Sequence, residues 1–224
     1  MTANTLPMRQ QDNWQNQLRN VISTAQELLD LLELAPQDTG FCADASSDFS
    51  LKVPMAFVRK MRAGDPQDPL LLQVLARGEE LLQTPGFSSD PVGEVGAAIP
   101  ARGVIHKYKG RVLLLVTSGC AIHCRYCFRR HFPYAANQNS RREWGEALDY
   151  IRRNSGISEV IFSGGDPLLA NDDYLDELVT QVAAVDHVRR LRIHTRLPVV
   201  IPDRITGDLL NAITRQQLQT IVVI

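Results

Sequence analysis

Residues 117–132 read TSGCAIHCRYCFRRHF and hold three of the four cysteines of the chain, Cys120, Cys124 and Cys127, spaced C-x3-C-x2-C. Closed structural zinc sites use four Cys or His ligands, and ordinary iron–sulfur clusters use four thiolates. The fourth cysteine, Cys42, lies far upstream with no partner at metal-binding spacing. The cluster of three therefore indicates either a metal site completed by a histidine or a site with one open coordination position.

The cysteines directly follow RVLLLVT (111–117), an almost uninterrupted apolar run that is typical of a strand buried on both faces. Further strands are predicted at EVIFS (159–163), VRRLRIHT (188–195) and TIVVI (220–224). The helices predicted between them run from a capping box at Ser140 and Glu143 to about Asn154, over 172–185 and over 203–214.

This alternation of strands and helices predicts an α/β fold with a parallel sheet. It places the cysteines at the carboxyl end of the first strand, where α/β barrels carry their chemistry. The sequence stops on a strand at residue 224. We therefore expect a partial (β/α) barrel, cut within the barrel of a longer protein.

The upstream sequence has a different pattern. Apolar residues at helical spacing predict an amphipathic helix over 12–35, and shorter helices are expected over 55–63 and 69–83. Residues 84–103 are rich in Gly, Pro and Ser, which is typical of a connector. We therefore divide the chain into an N-terminal helical region with its connector, residues 1–100, and the first part of the barrel domain, residues 101–224.

Composition excludes several classes of protein. The chain has 224 residues, a formal net charge of −1 and a pI of about 6.5, so no overall basic field favours nucleic acid. No apolar run approaches the length of a membrane span, and the first ten residues lack the apolar core of a signal peptide. We expect a cytoplasmic protein whose clustered cysteines serve metal or redox chemistry and form no disulfides.

Two interpretations of the cysteine loop remain open at this point. A Cys3His zinc-binding module would recruit His123 or His131 as its fourth ligand, although no second pair at zinc-site spacing supports it. A c-type haem is excluded because Phe128, and not histidine, follows Cys127. In the other interpretation, three thiolates hold three irons of a 4Fe–4S cluster and leave the fourth iron free to bind a substrate or cofactor.

The spacing and position of the three cysteines resemble those of the radical S-adenosylmethionine (radical SAM) enzymes. The resemblance implies a partial radical SAM barrel in which Cys120, Cys124 and Cys127 ligate the cluster. It also implies that the open iron binds S-adenosylmethionine, whose cleavage by one electron gives methionine and a 5′-deoxyadenosyl radical. An electron donor is therefore an expected partner, and the protein's part is to position and shield this chemistry.

A second motif, SGGDP (163–167), follows the second strand of the predicted barrel. Gly164 and Gly165 leave the backbone open to the close approach of a ligand. The motif resembles the glycine-rich stretch of radical SAM enzymes, which implies that Ser163, Gly164, Gly165 and Asp166 bind S-adenosylmethionine. The block RIHTR (192–196), at the end of the third strand, is expected to face the same cofactor. The alternative for His194 and Arg196 is a role in packing or in supporting the residues that contact the cofactor.

The motifs between residues 88 and 215 resemble the lysine 2,3-aminomutase family, whose members convert L-lysine to (R)-β-lysine with pyridoxal phosphate as a further cofactor. The variant CRYCFRRHFPY resembles the bacterial branch that supplies β-lysine for the modification of elongation factor P. The resemblance implies that Arg129 holds the substrate carboxylate, for which the planar fork of arginine is suited. An arginine exposed to solvent is the alternative.

The same resemblance implies that Lys107 and Arg111 approach the pyridoxal phosphate. It also implies that the lysine anchoring this cofactor, and the carboxylates that would select lysine as the substrate, lie beyond residue 224. A radical SAM aminomutase acting on another amino acid, such as glutamate, is the alternative within this class of enzymes.

Overall fold

The computed structural model describes residues 13–137 and 144–224. Its N-terminal region consists of short elements joined by turns, and 3-10 turns cover Leu71–Gln73, Gly78–Leu81 and Gly96–Ala98. The helices and strands of this region are α1 (Trp14–Arg19), β1 (Val21–Ile22), α2 (Ala25–Leu31), α3 (Pro36–Thr39), α4 (Ala43–Asp48), β2 (Val53–Pro54) and α5 (Met55–Val58).

The single helix predicted over 12–35 is wrong. Val21 and Ile22 leave the helical path and pair antiparallel with Val53 and Pro54, so the apolar stripe is divided between α1 and α2. The Oγ1 atom of Thr24 then accepts a hydrogen bond from the N–H of Glu27 and begins α2 as an N-cap. Pairing partners 31 and 33 positions away have therefore overridden the local helical pattern.

The helices predicted over 55–63 and 69–83 are also replaced by shorter pieces. The first ends at Val58, and the chain then turns through Gly64, whose N–H donates to the carbonyl oxygen of Leu32 at 2.7 Å. The second consists of two separate 3-10 turns. Between these turns, the carbonyl oxygen of Ala76 accepts a hydrogen bond from Cys42, which draws the backbone into contact with the upstream segment.

The second half of the chain is built on a five-stranded sheet in the order β3-β4-β5-β6-β7. Its strands are β3 (Val104–Tyr108), β4 (Arg111–Thr117), β5 (Glu159–Gly164), β6 (Arg190–His194) and β7 (Gln219–Val223). The four predicted strands are confirmed as β4 to β7, and all of their pairings are parallel. Strand β3 was not predicted; it pairs antiparallel with β4 through a tight turn at Lys109–Gly110 and adds an edge strand beside the cysteine-bearing strand.

The helices of this half are α6 (Tyr134–Asn137), α7 (Gly145–Arg153), α8 (Asp172–Ala183), α9 (Leu197–Val200) and α10 (Gly207–Thr214). The predicted capping box at Ser140 and Glu143 lies outside the described residues. The helix expected over 203–214 is shortened to α10, preceded by a 3-10 turn over Pro202–Arg204. In the described part of the chain, no helix is long and apolar enough to cross a membrane.

Side chains alternate between the two faces of the sheet. On one face, Val112, Leu114, Val160, Phe162 and Leu191 are fully buried in the hydrophobic core, which also takes in side chains of the N-terminal region. The opposite face is the inner face of the partial barrel, and polar side chains are frequent on it. The carboxyl ends of β4, β5 and β6 meet at one edge, and the loops that leave this edge carry the predicted site.

Candidate metal centre at the carboxyl end of the sheet

The three clustered cysteines lie on the single loop that follows β4. Each is half-buried, and the side chain of Cys124 packs against the hydrophobic core. Cys42, in contrast, is the N-cap residue of α4 in the N-terminal region. The structure thus brings Cys120, Cys124 and Cys127 together on one loop, at the position predicted for the cluster.

Within residues 13–137 and 144–224, no three His, Cys, Asp or Glu side chains converge closely enough to hold a single metal ion. His123 is directed toward the N-terminal region: its Nδ1 lies 2.9 Å from the carbonyl oxygen of Ser50, and its ring stacks on Phe49. His131 is exposed. These positions do not form a closed Cys3His zinc site, in which four ligands surround one ion. In a 4Fe–4S cluster each thiolate binds a different iron, so the sulfur atoms need not converge in this way.

Burial favours the neutral form of the Cys120 and Cys127 thiols. It raises the pKa of Cys120 to about 12, with a further contribution from the nearby Asp166 carboxylate. Burial likewise raises the pKa of Cys127. The neutral forms of these two thiols are therefore favoured without a metal, and binding iron would release their protons.

The two glycines of the second motif pack against the backbone of the cysteine loop. A Cβ atom added to Gly165 would lie 2.0 Å from the carbonyl oxygen of Gly119, the residue before Cys120. A Cβ at Gly164, where φ is 116°, would lie 2.2 Å from the carbonyl oxygen of Thr117. Both positions therefore require glycine so that the loop after β5 can approach the loop after β4.

Hydrogen bonds also stabilise the contact between the SGGDP motif and the cysteine loop. The N–H of Gly165 donates to the carbonyl oxygen of Thr117, and the N–H of Asp166 donates to that of Gly119, each at 2.8 Å. The hydroxyl of Thr117 in turn donates to the carbonyl oxygen of Asp166 at 3.0 Å. The SGGDP motif and the cysteine loop therefore form one rigid unit, which the two sequence motifs alone did not indicate.

The carboxylate of Asp166 connects this unit to the loop that follows β6. It is buried, and its oxygens accept hydrogen bonds from the hydroxyl of Thr195 and the N–H of Arg196, both at 2.7 Å, and from the N–H of Leu168. Burial raises the pKa of Asp166. The loops that follow β4, β5 and β6 are thus joined through one side chain.

The N-terminal region supports the cysteine loop from the other side. The side chain of Arg125, between the second and third cysteines, donates through Nε to both carboxylate oxygens of Glu80, at 2.8 and 3.0 Å. Arg130 donates to the same carboxylate at 2.8 Å and to that of Asp48 at 2.8 Å. The main-chain N–H of Arg125 also donates to the carbonyl oxygen of Gln73. Nothing in the spacing of these residues signals the contacts, because partners 45 to 82 positions apart meet only in the fold.

Arg129 is buried and paired with a carboxylate of the connector. Its Nε donates to one carboxylate oxygen of Glu94 at 2.6 Å and its Nη2 to the other at 2.8 Å, and the two side chains are 9% and 10% exposed. Its Nη1 donates to the hydroxyl of Ser163 at 2.9 Å and lies 3.4 Å from the carbonyl oxygen of Gly164. The alternative of a solvent-exposed arginine is therefore wrong. Sequence reasoning missed Glu94, since a lone acid in a Gly- and Pro-rich segment carries no signal of its own.

The remaining predicted residues are Arg111, Lys107 and His194. Arg111 begins β4 and is half exposed, with its Nε 3.9 Å from the carboxylate of Glu159. The strand of seven residues that separates it from the cysteine loop spans roughly 20 Å. Lys107, on the edge strand β3, donates to the carbonyl oxygen of Val92 in the connector. His194 ends β6 half-buried, and burial lowers its pKa, with a further contribution from the positive charge of Arg192.

Comparison with known proteins identifies the class to which these motifs belong. Residues 114–213 match the model of the Radical SAM superfamily. The chain is 47% identical over 220 residues to the L-lysine 2,3-aminomutase of Escherichia coli strain K12 and 48% identical over 217 residues to that of Haemophilus influenzae. These alignments cover 98% and 96% of the chain and 64% of each relative. The L-lysine 2,3-aminomutase of Clostridium subterminale is 32% identical over 205 residues, which is 91% of the chain and 49% of that relative. The chain thus spans between about half and two thirds of the length of these relatives.

Proposed function

We propose that the chain belongs to the lysine 2,3-aminomutase family of the radical SAM superfamily, which its similarity to these relatives supports, and that it forms the cluster- and S-adenosylmethionine-binding part of an enzyme that converts L-lysine to (R)-β-lysine. The observation that carries the proposal is the joining of the cysteine loop to the SGGDP loop through Gly119 and Gly165. This contact brings the proposed cluster ligands and the proposed S-adenosylmethionine-binding residues to one edge of the sheet.

The donor set fits an iron–sulfur cluster. Cys120, Cys124 and Cys127 supply three soft thiolate ligands from one loop, and half-burial limits the access of water to them. With the cluster and S-adenosylmethionine bound, one-electron reduction supplies the adenosyl radical chemistry of the superfamily. Ser163, Gly164, Gly165 and Asp166 bind S-adenosylmethionine in this proposal, and His194 lies at the end of the neighbouring strand β6, where it would face the bound cofactor.

We assign the substrate carboxylate to Arg129, in a way that takes account of Glu94. A guanidinium has two edges that can each grip a carboxylate. Glu94 holds the edge made by Nε and Nη2. The edge made by Nη1 and Nη2 is directed toward Ser163, and its contact with the carbonyl oxygen of Gly164 is long, at 3.4 Å. The substrate carboxylate would take this second edge, while Glu94 keeps the fork in place.

The remaining assignments rest on the resemblance more than on contacts. Lys107 and Arg111 are our candidates for the phosphate of a pyridoxal phosphate cofactor, with Lys107 acting as a point charge. A role in supplying β-lysine for elongation factor P is supported by the CRYCFRRHFPY motif. We further propose the division of the chain into residues 1–100 and 101–224, although side chains of both parts share one core. Cytoplasmic localisation and an external electron donor complete the proposal.

The test is an anaerobic assay of the complete natural protein with L-lysine, pyridoxal phosphate, S-adenosylmethionine and dithionite. Chiral chromatography of the products should show (R)-β-lysine. Its formation should depend on pyridoxal phosphate, on S-adenosylmethionine and on dithionite. Turnover of glutamate with none of lysine would overturn the substrate assignment. A protein that binds stoichiometric zinc and is inactive with both amino acids would overturn the reaction class.

A further inference from the structure

Arg196 directly contacts one of the three clustered cysteines. It follows β6, and its Nη1 atom lies 2.7 Å from the Sγ atom of Cys124. Its Nη2 atom donates to the side-chain oxygen of Gln73 at 2.8 Å. The guanidinium therefore bridges a proposed cluster ligand and the N-terminal region. The RIHTR block was expected to face the cofactor, but the sequence did not indicate this contact with Cys124, which joins residues 72 positions apart.

The guanidinium is held in place on several sides. The main-chain N–H of Arg196 donates to the carboxylate of Asp166 at 2.7 Å, which fixes the start of the side chain. The ring of Tyr126 lies against the guanidinium, 5.5 Å from ring centre to Cζ. The hydroxyl of Tyr126 donates to the same oxygen of Gln73, at 3.3 Å. A cation fixed in this way acts on the sulfur constantly, because it cannot swing away into solvent.

The charge of Arg196 is not neutralised by the groups its two Nη atoms contact. Gln73 offers a neutral amide oxygen, and Cys124 offers its sulfur. The arginines of the cysteine loop are different, since Arg129 is paired with Glu94 and Arg125 with Glu80. The field of the Arg196 cation therefore acts mainly on the sulfur, in a half-buried position where charges are weakly screened.

We propose that Arg196 is a positioning residue that tunes the reduction potential of the cluster through the Cys124 sulfur. This inference rests on the proposed function, because it requires the cluster. Reduction by a low-potential one-electron donor adds one negative charge, which is shared by the cluster and its sulfur ligands. A cation and an N–H donor at one of these sulfurs stabilise the reduced form more than the oxidised form, and so raise the potential.

The same contact connects the potential to the state of the surrounding loops. Arg196 is fixed by Asp166, which belongs to the SGGDP loop, and by Gln73, which belongs to the N-terminal region. A shift of either segment would change the distance between the guanidinium and the sulfur. The proposed S-adenosylmethionine-binding loop and the potential of the cluster would thereby be physically coupled.

The test is a redox titration of the reconstituted complete protein, followed by electron paramagnetic resonance, for the wild type, Arg196→Gln and Arg196→Lys. We expect Arg196→Gln to lower the ratio of reduced to oxidised cluster at a fixed potential about tenfold, which corresponds to a shift of about 59 mV to more negative potential for a one-electron couple. Arg196→Lys keeps the charge but loses the fork and should shift less, in the same direction. Arg190→Gln is the matched control, since it removes a cation at the far end of β6, the strand that precedes Arg196, beside Glu159.

Iron and sulfide are counted in each protein before the titration. A wild-type potential in Arg196→Gln would overturn the inference, as would an equal shift in Arg190→Gln, which would indicate an effect of net charge alone. If Arg196→Gln does not retain a cluster, the reduction potential of Arg196→Lys is the test. A wild-type potential in Arg196→Lys then overturns the inference. Failure of the wild type to bind a cluster would instead overturn the proposed function.

Discussion

Substitution of Gly165 by alanine should disturb the cysteine loop itself. The added Cβ would lie 2.0 Å from the oxygen, 2.5 Å from the carbon and 2.8 Å from the nitrogen of Gly119, whereas real Cβ contacts are essentially never shorter than 3.0 Å. One backbone segment must therefore move by at least about 1 Å. This movement breaks the hydrogen bond from the N–H of Asp166 to the oxygen of Gly119 and displaces the adjacent Cys120.

The expected loss combines the broken hydrogen bond with the strain of overpacking, about 2–4 kcal/mol in the free energy of unfolding. Urea unfolding measures the loss, and the iron content after anaerobic reconstitution should fall with it. Gly207→Ala is the matched control. A Cβ at that position, the first residue of α10, meets nothing within 4 Å, so we expect wild-type iron content and unchanged or slightly raised stability.

The same result separates two explanations of the glycine pair. If Gly165 served only to let a ligand approach, Gly165→Ala would keep wild-type stability and iron content and lose only S-adenosylmethionine binding. That outcome would refute the packing argument. A loss of iron in Gly165→Ala and in Gly207→Ala alike would refute it as well, because the effect would then be unrelated to the contact with Gly119.

Three further predictions concern the loop and its partners. Cys124→Ala should lose the cluster absorbance after reconstitution while Cys42→Ala retains it; equal iron content in the two variants would contradict the ligand assignment. Arg129→Lys should raise the KM for lysine roughly ten- to a hundredfold, because lysine lacks the fork, and Glu94→Gln should raise it less; wild-type KM in Arg129→Lys would remove the carboxylate role. Glu80→Gln should lower the free energy of unfolding by about 1–3 kcal/mol at pH 7. Burial raises the pKa of Glu80, but Arg125 and Arg130 outweigh it and hold that pKa below its ordinary value of about 4.3. The ion pair therefore stabilises fully above about pH 4.3 and is lost as the pH falls through the lower folded-state pKa, so the difference between wild type and Glu80→Gln should shrink in acid.

The sequence was informative where local pattern and tertiary structure agree. The apolar run of β4 is recognisable because a strand buried on both faces has no polar alternation. The cysteine spacing is recognisable because one loop carries all three cysteines. The prediction failed at residues 12–35, where the pairing of Val21 and Ile22 with Val53 and Pro54 broke a regular helical stripe. Strand β3 was missed because an antiparallel edge strand next to a Gly- and Pro-rich connector has only a weak pattern of its own.

The proposed cluster ligands have a recognisable sequence motif, whereas the residues that support their loop do not. Cys120, Cys124 and Cys127 carry a motif, whereas Glu94 and Glu80 are single acids whose partners lie 35 and 45 positions away. The two glycines of SGGDP were expected to permit the close approach of a ligand, and this stays a prediction. The structure adds that the backbone of Gly119 makes a close approach, which depends on how two loops meet and is not encoded at either motif alone.

The central claim is that three cysteines of one loop hold a cluster whose open iron binds S-adenosylmethionine. The most direct measurement is the electron paramagnetic resonance spectrum of the reconstituted, dithionite-reduced complete protein, with and without S-adenosylmethionine, after iron, sulfide and zinc have been counted. We predict about four irons and four sulfides per chain, as a 4Fe–4S cluster requires, and a spectrum that changes when S-adenosylmethionine is added. A spectrum that does not respond to S-adenosylmethionine, or a colourless protein with one zinc per chain, would contradict the claim.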